Sequence, residues 1–175
     1  MDSPAAIWQQ AADYFEATVA AVSDDQWEQQ SCCDDWNVRE LVDHAIFWQA
    51  NLSQFVGGGA SAEDGWPAVK SSIAGALGDP AALEGAIESG PMEGMPKHAG
   101  LGLATADVLL HSWDLGKAIG LDVELPVEAV EAVHMGVSQM PEEMMRSPQV
   151  FGPEISVPDD ASAQDKLLGF TGRQP

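Results

Sequence analysis

Apolar residues recur at intervals of three and four along most of the chain, the period of an amphipathic helix. Ser3-Pro4 supplies a capping side chain and a proline for the first helical position. Trp8, Ala11, Ala12, Phe15, Val19 and Val22 then form one stripe, which Ser23-Asp24-Asp25 ends. The run NVRE predicts a second helix. Asn37 caps it, Glu40 three residues on can reach back, and Val38, Leu41, Val42, Ala45, Trp48, Leu52 and Phe55 make the buried face. Gly57-Gly58-Gly59 stops it. A third helix starts around Trp66-Pro67 and breaks at Gly78-Asp79-Pro80. Residues 79–97 hold a short helical piece, Ala81 to Ile87, and the punctuated run GPMEGMP. That predicts a loop, and long loops in compact domains often carry function.

The fourth helix covers about Ala99 to Ile119, with Gly120 placed to end it. It is apolar nearly all round, the pattern of a central helix. Pro126 opens a fifth, carrying Val127, Val130, Val133 and Val137 and ending near Met140-Pro141. FGPEISVPDD reads as an extended tail, and Ala163 to Phe170 as a last short helix. The expectation is an all-α fold in one domain spanning residues 1–175. Trp27 and Trp36 are expected to anchor the connection between the first two helices.

Charge narrows the partners. The chain has 28 acidic residues against 7 basic ones, a formal net charge of −21. That field repels polyphosphates and anionic lipid surfaces, so neither nucleic acid nor a membrane is expected as a partner. A small anionic substrate stays open, because one metal ion or one arginine inverts the sign locally. MDSPAAIWQQ lacks the basic and apolar regions of a signal peptide. No apolar run reaches the roughly 18 residues of a membrane span, so a cytoplasmic location is expected. The only cysteines, Cys32 and Cys33, are adjacent. Joining them would close a strained ring of no structural use, so two reduced thiols are expected, with a redox or soft-metal role as the alternative.

The stretch DVLLHSWDLG concentrates the chemistry. Residues four apart differ by about 40° around a helix, so Asp107 and His111 project from one face of an otherwise apolar helix. His44 falls on the inward face of the second helix, between Leu41 and Trp48. A buried carboxylate must be paired, hydrogen-bonded or metal-bound, or it takes up a proton. Three readings follow. Asp107 and His111 satisfy each other as a core hydrogen bond. Alternatively, Asp107 orients His111 as a general base. In the third, His44, Asp107 and His111 hold a first-row divalent ion between facing helices. Asp114 either orients a ligand from behind or pairs with Arg39 to pin two helices, and the pairing is preferred. The site is expected near the loop of residues 79–97; Met92 and Met95 could line a pocket there, although core filling is the preferred reading for each.

WNVRELVDH (Trp36 to His44), DVLLHSWDLGKAIG (Asp107 to Gly120), FGPEISVP and the closing KLLGFTGRQP resemble the DinB-like superfamily. They are closest to its actinobacterial branch, related to the N-terminal domain of mycothiol-dependent maleylpyruvate isomerase. The resemblance implies a four-helix bundle of up-down-down-up topology with short extra helices. It also implies a divalent metal, commonly zinc or nickel, with His44, Asp107 and His111 at the ligand positions. The isomerase carries Glu where this chain has Asp107, one methylene shorter. The implied chemistry is thiol-assisted: a transferase or isomerase that uses mycothiol or a similar small thiol on a small electrophile. The alternative from another class is a non-catalytic bundle that binds a metal or small molecule in stress response, resistance or sequestration. Bundles also pair through apolar faces, which makes a homodimer one expectation, with Trp8 or Trp48 as contributors.

Overall fold

In a computed structural model, which describes residues 2–146 and 150–175, seven helices form and no strand occurs among the described residues. The first four long helices are α1 (Pro4–Ala20), α2 (Val38–Phe55), α3 (Gly65–Ala76) and α4 (Lys97–Ala118). α1 and α2 both pack on α4, and α3 packs on α2 and α1, which closes a four-membered ring around one core. α5 (Val127–Ser138), the single turn α6 (Glu142–Met145) and α7 (Ala163–Phe170) follow. α5 leans on α4 and α1 and carries α7 on its other side.

The helix starts form as their caps dictate. The Ser3 hydroxyl accepts from the Ala6 amide, and Asn37 and Glu40 exchange hydrogen bonds of 2.9 Å in a full capping box. Ser162 caps α7 through the Asp165 amide. The expected piece at Ala81 to Ile87 shrinks to one turn, Pro80–Leu83, because the Asp79 cap begins it and Gly85 at φ +77° follows it. α6 is an additional turn that follows Pro141 directly.

Of the 22 residues of α4, 14 are buried, which makes it the central helix. Trp8, Phe15, Leu41 and Leu52 are fully buried against it and its neighbours. Trp8 therefore lies inside the bundle and offers nothing to an outer pairing face. Its indole N–H donates to Gln49 Oε1 at 2.9 Å, and Gln49 Nε2 donates to the Ala104 carbonyl at 2.7 Å. This buried amide ties α1, α2 and α4 together at one level.

α7 ends in a Schellman motif. The Arg173 amide donates to the Leu168 carbonyl at 2.8 Å and the Gly172 amide to Gly169 at 3.0 Å. Gly172 takes φ +81°, a conformation that side chains other than glycine's adopt only under strain. The extended segment before α7 is held along it by the Ile155 amide on the Gly169 carbonyl. Arg146 adds bonds to the Gly152 and Phe170 carbonyls.

Candidate metal centre

His44 on α2 and Asp107 and His111 on α4 meet between the two helices. His44 Nε2 lies 3.7 Å and His111 Nε2 3.5 Å from the same oxygen, Asp107 Oδ1. These separations are too long for good hydrogen bonds. The other oxygen, Asp107 Oδ2, is buried with no hydrogen-bond partner among the described residues. The carboxylate thus faces two imidazole nitrogens without being satisfied by either. Burial acts to raise the Asp107 carboxyl, but His111 and His44 beside it outweigh that and hold it below the ordinary value.

The donor set fits a divalent ion. Atoms bound tetrahedrally to zinc at about 2.0–2.1 Å sit about 3.3 Å from one another, close to both separations here. All three donor atoms lie within 4.8 Å of each other. The His44 and Asp107 side chains keep 25% and 22% of their exposure, so the group opens to the surface on one side.

Behind His111 stands a second layer. His111 Nδ1 lies 3.0 Å from Asp114 Oδ2. Arg173 grips the same carboxylate from the far side: Nε donates to Oδ1 and Nη2 to Oδ2, both at 2.8 Å. Burial would raise the Asp114 carboxyl, yet Arg173 and His111 pull it down to about 2. His111 is raised well above the ordinary histidine value. Burial opposes that shift, and Asp107 and Asp114, one at each ring nitrogen, override it. Cys33 Sγ approaches Asp114 Oδ2 at 3.9 Å, and neither cysteine is in a disulfide. Cys33, His111 and Asp114 also lie close enough to hold an ion. Asp114 is already saturated by Arg173 and His111, however, whereas Asp107 is not.

Two expectations need correction. Asp114 pairs with Arg173, not Arg39, whose side chain is half exposed and bonds Glu28 at 2.8 Å. The group also lies away from residues 79–97. That loop packs on the C-terminal end of α2, where Asn51, Gln54, Phe55, Ile87, Met92 and Lys97 line a groove of about 440 Å³. His44 precedes Asn51 by seven residues, about 10 Å along the helix. The neighbours of the group come from the α1–α2 connection instead. Trp36 lies against His44, and Trp48 meets the His44 ring edge-on at 6.4 Å. Met95 lies outside the groove lining, His98 is exposed, and His134 sits beside Phe170. Cys33, Trp36 and Arg173 were not picked out as site residues from sequence. The only local signal for Arg173 was a lone cation just past a helix-stop glycine.

Residues 8–94 match the family described as the mycothiol maleylpyruvate isomerase N-terminal domain. The match bears out the resemblance read from WNVRELVDH and takes in His44; Asp107 and His111 lie beyond it. Among curated proteins, Uncharacterized protein Rv0738 of Mycobacterium tuberculosis is 29% identical over 176 residues, covering 94% of each chain. Uncharacterized protein MT0763, from another strain of that species, matches to the same extent. No solved structure matches significantly. Among the described residues, no helix is long and apolar enough to cross a membrane.

Proposed function

We propose that His44, Asp107 and His111 bind a divalent metal, zinc or nickel. On that centre, we infer, the protein acts as a thiol-dependent transferase or isomerase on a small electrophile in the cytoplasm. The observation that carries the metal reading is Asp107, a carboxylate held charged between two imidazoles, with one buried oxygen that has no hydrogen-bond partner among the described residues. Leaving such a group unsatisfied costs about 1–3 kcal/mol or more, which a shared cation removes. The thiol reading draws on the isomerase-domain match.

Bound there, a divalent ion supplies a Lewis acid that stabilises a thiolate or polarises a carbonyl. The chain's own residues do the rest. His44 and Asp107 present the open side to solvent, where a small molecule enters. Trp36 covers the two imidazoles and restricts water on one flank. Asp114 takes the hydrogen bond of His111 Nδ1 and keeps Nε2 turned toward Asp107. Arg173 balances the charge of Asp114 behind His111.

Metal content of the purified protein, by elemental mass spectrometry, tests the ligands. Near-stoichiometric metal in the native protein, lost in His44→Ala and Asp107→Ala, is the expected result. Retention of full metal in both variants refutes the assignment. Consumption of a small thiol with a panel of electrophiles then tests the chemistry. Metal bound without turnover leaves a non-catalytic binding bundle.

A further inference from the structure

We propose that Arg173 is a positioning residue of this centre, fixing the tautomer and tilt of His111 through Asp114. The inference rests on the metal reading above and adds a part that comes from the last helix-stop of the chain. The connection is continuous. Two guanidinium N–H groups meet two carboxylate oxygens at 2.8 Å, and one of those oxygens meets His111 Nδ1 at 3.0 Å.

A carboxylate held by a guanidinium fork only accepts hydrogen bonds. The proton of the Asp114–His111 bond therefore belongs to Nδ1, which leaves Nε2 as the nitrogen that gives up its proton to take a metal. Nε2 is the nitrogen that faces Asp107. A ligating histidine needs this division, one nitrogen free and the other anchored by an oriented acceptor. The carboxylate plane would otherwise turn, because the terminal torsion of aspartate is broad. The planar fork stops that rotation by bonding both oxygens at once. Lysine carries the same charge at a point and fixes only one oxygen.

Burial supports a role beyond surface pairing. The Asp114 side chain is 3% exposed and that of Arg173 17%. Arg173 is delivered by the Schellman turn at Gly172, where an added Cβ would lie 2.9 Å from the Gly152 backbone. The fork is thus placed by backbone geometry and not by a freely rotating surface side chain.

The alternative is that Arg173 merely pins the C-terminal segment to α4. Zinc affinity of the full chain, by competition with a chromophoric chelator, separates the two. It is paired with long-range proton–nitrogen spectra of the zinc-loaded protein and with melting curves of the metal-free protein. Arg173→Lys is expected to weaken zinc by about 10- to 100-fold and to abolish the single Nδ1-protonated pattern of His111. Arg173→Gln is expected to do at least as much, and the lysine variant reports if the glutamine variant does not fold. Zinc affinity within twofold of native and unchanged His111 nitrogen shifts overturn the proposal, even with a lowered melting temperature. A native protein that takes up no zinc overturns the metal reading itself. His44→Ala, losing zinc while the native protein binds, shows that reading intact whatever Arg173 does.

Discussion

The indole of Trp36 lies against the imidazole of His44, with centroids 4.2 Å apart and planes inclined at 34°. The same indole meets the His111 ring edge-on at 6.0 Å. One aromatic residue from an irregular connection thus touches histidines on two helices. Titration with nickel is expected to quench part of the tryptophan emission of the native protein, and Trp36→Phe to reduce that response. Because Trp48 also meets the His44 ring, a response that persists undiminished in a Trp36→Phe, Trp48→Phe double variant would place the ion elsewhere.

Asp107→Asn separates binding from folding. The substitution keeps the volume, removes the charge and leaves the helix intact. A ligand at 100 times its dissociation constant stabilises a folded protein by about 2.7 kcal/mol. Zinc in that excess is expected to raise the melting temperature of the native protein and leave that of Asp107→Asn unmoved. Calorimetry with and without a chelator reads both.

Acid stability follows from Asp114. Its folded value of about 2 lies below the ordinary carboxyl value of 3.8. A depressed carboxyl contributes stability that is present above the unfolded value and lost as the pH falls through the folded one. The difference amounts to roughly 2 kcal/mol. In the metal-free protein it is expected to disappear between about pH 4 and pH 2. Urea unfolding across that window is expected to show a shallower loss for Asp114→Asn than for the native chain.

Gly172→Ala acts at a distance. The added methyl meets Gly152 backbone atoms at 2.9 Å, and φ +81° is strained for any side chain. The expected loss is about 2–3 kcal/mol of stability. Displacement of Arg173 is expected to weaken zinc as well, although residue 172 touches no ligand. Gly136→Ala, inside α5 with open space around its Cβ position, serves as the control and is expected to leave zinc affinity unchanged and to raise stability by up to about 1 kcal/mol.

The helices and the three converging side chains were legible because both are local matters. Caps and three-four spacing mark the helices, and Asp107 and His111 share a face by their own separation. His44 joined them as an inward residue on a neighbouring helix. The surrounding layer was not legible, because its contacts are distant in sequence. Cys33 and Arg173 reach Asp114 across 81 and 59 residues. No periodicity says which residue of an irregular segment will land on a given helix. The Arg39 pairing failed for a helical reason. Arg39 is five residues from His44, about 140° around the axis, and so points away from α4.

Gln49 carries a consequence of another kind. It is fully buried and bonds at both ends of its amide, to Trp8 and to the Ala104 carbonyl. It lies five residues after His44, and Ala104 lies three before Asp107. Were α2 to slide one turn along α4, an amide and an indole would be stranded in hydrocarbon, at about 1–3 kcal/mol for each group. Apolar stripes alone tolerate such slippage, since one leucine fits another's socket. Gln49 therefore works as a locating pin for the pair of helices, and the distance between ligands on separate helices is inherited from it.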